Sequence, residues 1–302
     1  MDIVVENKSK SEPIAFTFPG HGEPCGIAPG SFMYRAHESV AGPWHGHRIP
    51  LSCDRRSCPD HYRDWGKLRA GEIIQRLKAG RNHLKDDWRT IWDPQSGRFR
   101  RMPGHKILQR FIVSPPQDIP IDTEADLDRL FKQSYLIMKN VGIGGAEHIF
   151  HYERIPSRFN DREDVEVGPH FHGVGYGFID PELVLSIQEQ TGWIVKGQGR
   201  PDNLFNHLTY VLSHAAVPYN PLNPAIERSK HCIRWWGTLH YGAFSCKIEL
   251  GGIFCALCNH DIPFKDWIRL AYRGKEGPPE EEFFVLNVDE WRIWESSYGV
   301  DA

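Results

Sequence analysis

From about residue 105 the chain alternates between two hydrophobic periods. "KILQRFIVSPP" is a β-type run that ends at a proline pair, and "EADLDRLFKQSYLIMKNVG" spaces its apolar residues as an amphipathic helix that stops at glycine. "GAEHIFHYERI" and "HFHGVGYGFI" alternate as strands, and "DPELVLSIQEQTG" is a helix opened by Asp-Pro. "WIVKGQG" is a further strand, and residues 202–216, "DNLFNHLTYVLSHAA", are a helix. The order βαββαβα over 105–220 predicts an α+β domain of two layers with a mostly antiparallel central sheet, ferredoxin-like or palm-like in layout.

The flanks have a different texture. Residues 1–65 are rich in Gly, Pro, His and Cys with little periodicity, so they lack a large core and call for a metal to hold them. Residues 66–104 begin with Leu68, Ile73, Ile74, Leu77 and Leu84 at helical spacing, following Trp65. Over 62–110 there are 13 Lys/Arg against 5 Asp/Glu, a local excess of 13 − 5 = +8, which marks where a phosphate backbone would be met. Residues 228–302 form a cysteine- and tryptophan-rich module with an acidic tail.

Composition narrows the class. A formal net charge of −3 excludes a globally basic nucleic-acid coat, so any polyanion must be held by a local patch. No apolar run is long enough for a membrane span, and the start lacks the apolar stretch of a secretory signal, which predicts a soluble, cytoplasmic protein without a membrane partner. The 7 cysteines cluster with histidines and do not spread as a disulfide framework, which favours metal binding.

Three clusters carry candidate chemistry. His170 and His172 stand at i and i+2 of one strand and share a face, while Glu147, His151 and Glu153 share a face of the preceding strand. His151 or Glu153 could complete a three-ligand site for a catalytic Mg²⁺, Mn²⁺ or Zn²⁺. On the helix 202–216, His207, Tyr210 and His214 fall on one side. A free phenol, with a pKa of about 10, needs a base or a metal before it becomes a nucleophile. Cys53, Cys58 and His61 have compact ligand spacing, and Cys25 could complete a structural zinc site. Cys246, Cys255 and Cys258 form a second possible zinc set, whose fourth ligand is open among Cys232, His231, His240 and His260. The glycines after His172 read as close backbone approach beside the metal. Trp235 and Trp236 read either as stacking faces for unpaired bases or, for one of them, as core.

"FIVSPP", "PHFHGVGYGF" and "YVLSHAAV" resemble, in order, the three motifs of the HUH endonucleases, and within them the rolling-circle replication initiators of archaeal plasmids and viruses. "SCDRRSCPDHYRDW", "RWWGTLHYG" and "CALC" extend the resemblance over about residues 50–260. The resemblance implies that His170 and His172 bind a divalent Mn²⁺ or Mg²⁺. It also implies that Tyr210 attacks single-stranded DNA at a replication origin to give a 5′-phosphotyrosyl bond, and that rejoining needs no ATP. Many relatives carry lysine three residues after the tyrosine; here Ser213 stands there and His214 follows. With one tyrosine in the helix, Glu153 activating water could end the cycle. No helicase motif is present, so a host or partner helicase is implied. Within the superfamily a transposase or relaxase is the alternative, and outside it a non-catalytic zinc-finger DNA-binding protein.

Overall fold

The computed structural model describes residues 13–28, 31–40, 42–53, 55–84, 88–93, 98–103, 106–117, 119–154, 166–219, 221–222, 232–246, 253–262 and 266–293. The central sheet is built from β6 (Leu108–Ser114), β7 (Ile143–Arg154), β8 (Glu166–Gly177), β9 (Ile194–Gly199) and β11 (Ile233–Gly237). Its order is β11-β7-β8-β6-β9, and every neighbouring pair is antiparallel. With α2 (Glu124–Asn140), α3 (Pro181–Thr191) and α4 (Leu204–Leu212), the chain order matches the expected βαββαβα. The arrangement β7-β8-β6-β9 inserts the third strand between the first two, as in a split β-α-β unit.

Local chemistry sets the helix ends. Thr123 and Asp126 form a capping box at α2, with the Thr123 backbone N donating to Asp126 Oδ2 at 3.0 Å. Asp180 caps α3 just ahead of Pro181, and the side chain of Asn203 caps α4 by accepting from the Asn206 N–H at 2.9 Å. The last helix is shorter than expected. It closes at Leu212 through a tightened turn in which His214 N bonds Val211 O at 3.2 Å, so His214 stands just past the helix.

Alternation along the strands divides the core in two. On one face Phe111, Val113, Phe150, Phe171 and Trp236 pack against α2 and α3. On the other, Ile149, Val174, Tyr176 and Trp235 pack against α4 and α1 (Tyr62–His83). Helices therefore cover both faces. The two-layer expectation is corrected to three, because α1, assigned from its charge to a separate basic region, buries Trp65, Ile73 and Leu77 on the sheet.

A second correction concerns the chain ends. β2 (Phe32–Glu38) and β3 (Trp44–Pro50) share an antiparallel sheet, ordered β15-β3-β2-β14-β16, with β14 (Ile268–Tyr272), β15 (Phe283–Val285) and β16 (Trp291–Ile293). The segments 1–65 and 228–302, expected as separate modules, thus meet in one structure. Smaller two-stranded ladders join β1 (Ala15–Thr17) to β10 (Val217–Tyr219), β4 (Trp88–Asp93) to β5 (Arg98–Pro103), and β12 (Ile253–Cys255) to β13 (His260–Ile262). Among the described residues no helix is long and apolar enough to cross a membrane.

Candidate functional site

The register of β7 against β8 creates the central cluster. His151 lies opposite His170, Ile149 lies opposite His172, and the period of two turns all three imidazoles to the α4 face. Ring centroids are 4.5 Å apart for His151 and His172, and 5.1 Å for each of the other two pairs. One nitrogen from each ring lies within 4.8 Å of the others.

Tautomers are set by the backbone. His170 Nδ1 is 2.7 Å from the Gly168 carbonyl and must donate to it, which leaves Nε2 with the lone pair. A backbone hydrogen bond to Val211 holds His151 from α4. His151 Nε2 and His172 Nδ1 are buried with no hydrogen-bond partner among the described residues. Burial, then repulsion from His170, His207 and His214, lowers His172 to about 3, and burial leads the depression of His151. His151 and His172 are therefore neutral at pH 7, which is the state a metal requires. An all-imidazole donor set suits a transition-metal ion better than Mg²⁺, which prefers oxygen ligands.

Glu153 stands apart from this triad. A bulge between His151 and Glu153 shifts it opposite Val167, and it is not among the grouped ligand atoms. Of the two candidates for third ligand, the register favours His151.

α4 brings the phenol. Leu208, Val211 and Leu212 bury one side of the helix against the sheet, while Tyr210 is 63% exposed. Its ring lies 4.7 Å from that of His214. His214 Nδ1, 2.9 Å from the Tyr210 carbonyl, donates to it and leaves Nε2 as an acceptor. His214 also contributes to the lowered values of His151 and His172, so it lies near the triad. His207, lowered to about 4 by burial and then by Arg110, flanks the same cluster.

Two expectations about neighbouring residues are corrected. Gly173 and Gly175 turn their missing side chains to the face opposite the imidazoles. A Cβ at Gly173 would collide with the Phe111 ring and one at Gly175 with Ala146, so strand packing requires these glycines and the metal does not. Trp235 and Trp236 are both buried, one in each core, and neither offers a face to a base. The basic patch is also thinner than its count: Arg76 is buried, Arg69 pairs with Glu72 at 2.6 Å, and Lys67 pairs with Asp64 at 3.5 Å. Lys85 lies outside the described residues, as do the side chains of Arg89, Arg100 and Arg101.

Cys25, Cys53, Cys58 and His61 come together at the start of α1 and could hold a zinc-type ion. Cys25 Sγ and Cys58 Sγ lie 3.3 and 3.5 Å from His61 Nδ1. Tetrahedral zinc bonds of about 2.0–2.3 Å imply donor separations of about 3.3–3.8 Å, so the spacing fits. Against burial, which opposes it, hydrogen bonds from the Asp60 backbone and the His61 ring lower the Cys58 thiol to about 6, favouring thiolate.

Cys246 does not join Cys255 and Cys258. It packs in the α1 core, with its Sγ 3.5 Å from Arg76 Nη1. Cys232 is also core, its thiol raised to about 11 by burial, while His231 and the side chain of His260 lie outside the described residues. Cys255 and Cys258 instead face His37 and His45, which sequence reasoning missed. The available signal was a hairpin: Gly42-Pro43 marks a turn between the two histidines, and His37 pairs with His45 across the strands.

Comparison of the chain with family models, with curated proteins and with solved structures found no match.

Proposed function

We propose that the chain is a metal-dependent single-strand DNA endonuclease and ligase of the HUH type that initiates rolling-circle replication. The observation that carries this reading is the convergence of His151, His170 and His172 on the sheet face that α4 covers, the helix that also bears the exposed Tyr210 next to His214. The ordered motif resemblance supplies the origin and the replicon class.

In this reading the Tyr210 hydroxyl oxygen attacks phosphorus, its proton passes to His214 Nε2, and the bond from phosphorus to the 3′-oxygen breaks. The departing 3′-oxygen takes up a proton from solvent, His214 loses its own to solvent, and the 5′-phosphate remains on Tyr210. Attack by a 3′-hydroxyl reverses the sequence, so the phosphodiester is rebuilt without ATP. A divalent ion, when bound, supplies Lewis-acid stabilisation of the scissile phosphate; of the two ions expected, Mn²⁺ fits three imidazoles better than Mg²⁺. His151, His170 and His172 would hold it, and the carbonyls of Gly168 and Val211 fix two of those rings. Glu153 has no part in this mechanism. The exposure of Tyr210 suits a strand that arrives unpaired, with a host or partner helicase opening the duplex.

The test is a denaturing gel of protein incubated with Mn²⁺ and origin-derived single strands. A covalent adduct is expected from the wild type and none from Tyr210→Phe, which keeps DNA binding. His172→Ala is expected to lower cleavage by on the order of 10³-fold. An adduct that persists in Tyr210→Phe overturns the nucleophile, and full activity of His172→Ala overturns the metal site.

A further inference from the structure

His37, His45, Cys255 and Cys258 are drawn from opposite ends of the chain, yet their four donor atoms lie within 4.8 Å of one another. His37 and His45 are an opposed pair on the β2–β3 hairpin. Cys255 ends β12 and Cys258 lies in the turn to β13, where the Asn259 N–H bonds the Cys255 carbonyl at 2.8 Å. Asn259 has φ +58°, the left-handed turn that lets two thiols of a Cys-x2-Cys pair face one point.

The donor spacing is within a few tenths of an ångström of that around a tetrahedral ion. His45 Nδ1 lies 3.1 Å from Cys258 Sγ and 3.7 Å from Cys255 Sγ, and His37 Nε2 lies 3.9 Å from Cys258 Sγ. Zinc bonds of about 2.0–2.3 Å place donors about 3.3–3.8 Å apart. The imidazole of His37 is already set for ligation: its Nδ1 donates to the Glu38 carbonyl at 3.1 Å, which leaves the Nε2 lone pair aimed at the thiols. Trp267 packs edge-on to His37 at 4.5 Å and belongs to the same buried cluster as Cys255.

We infer that this Cys₂His₂ cluster binds zinc and acts as a clasp that fastens the N-terminal hairpin to the C-terminal strands. The sheet it serves explains the need. Among the described residues, Ala36, Leu270 and Trp291 are the buried apolar side chains of that sheet's core, few to hold five strands from distant chain segments. The ion ties 37 and 45 to 255 and 258, and so aligns β2 with β14 and β3 with β15. Four protein ligands leave no open position, so the clasp is structural and independent of Tyr210 chemistry.

The experiment is native mass spectrometry of the full chain purified without added metal, combined with hydrogen exchange. Cys258→Ser is expected to carry one zinc fewer than the wild type, and Cys246→Ser the same number. In Cys258→Ser, exchange in 32–50 and 268–293 is expected to rise together by roughly tenfold or more, while 108–114 and 143–154 keep their protection. To separate metal loss from misfolding, Co²⁺ is added to metal-free Cys58→Ser, whose first cluster is broken. Tetrahedral cobalt absorption with thiolate charge transfer is expected, and it is lost in Cys58→Ser/Cys258→Ser. Equal zinc content in wild type and Cys258→Ser, no thiolate band in the cobalt protein, or unchanged exchange at both chain ends would overturn the clasp.

Discussion

Glu147 and His148 are consecutive on β7 and are both fully buried, facing opposite cores with opposite consequences. Burial raises the Glu147 carboxyl well above the usual value, against a hydrogen bond with the Val174 backbone that lowers it. His148 donates from Nδ1 to Ser134 Oγ at 3.0 Å, since the Ser134 hydroxyl is committed to the Phe131 carbonyl, and burial lowers it to about 3. His148 is neutral in the native state, so stability is lost as pH falls from about 6.5 toward 3, by up to about 1.4 kcal/mol per pH unit. Glu147 is protonated in the native state, so its contribution is complete below about 4.5 and is lost as pH rises above that value. Urea midpoints measured across pH are expected to show Glu147→Gln flattening the alkaline limb and His148→Phe flattening the acid limb. The first variant should gain on the order of 1–3 kcal/mol at pH 8 relative to wild type. Neither residue could be placed from the sequence, because alternation assigns a face and does not say what covers it.

At the scale of elements, α1 changed most between pattern and structure. Its basic residues read as a surface for phosphate, yet Arg76 points inward. Its Nε and Nη2 donate to the Leu239 carbonyl at 3.0 and 2.8 Å, Nη2 also reaches the Phe244 carbonyl at 2.8 Å, and the Tyr241 ring lies 4.3 Å away. Arg76 thereby anchors the turn after β11 to the helix. Arg76→Ala would orphan two carbonyls, and chemical denaturation is expected to register a loss of about 2–4 kcal/mol. On β8, Gly173→Ala places a methyl 2.8 Å from the Glu147 carbonyl oxygen and against the Phe111 ring. A loss of about 1–3 kcal/mol is expected for it by thermal melting, with the metal affinity of the triad retained because the strain falls on the opposite face. The strands and helices of 105–220 were legible because period and capping residues are local signals; α1's role was not, because an inward arginine looks the same in sequence as an outward one.

Across the whole molecule, the central sheet depends on segments far outside 105–220. Ile149, Val174 and Tyr176 are covered by α1, Trp235 belongs to β11, and β1 pairs with β10. An excised 105–220 fragment would expose one complete face of the sheet and is expected to aggregate, whereas 13–246 contains both large cores and should give a cooperative melt. By itself the sequence determined the succession of strands and helices, the pairing of His170 with His172 on one face, and the compact Cys53, Cys58 and His61 set. Each of these is set by spacing along a few neighbouring residues or one short segment. Only the tertiary structure decided the choice of His151 over Glu153, the burial of both tryptophans, and the partnership of Cys255 and Cys258 with His37 and His45. A one-residue bulge, the covering of a sheet face, and the meeting of strands more than 200 residues apart are products of packing, and local periodicity carries no record of them.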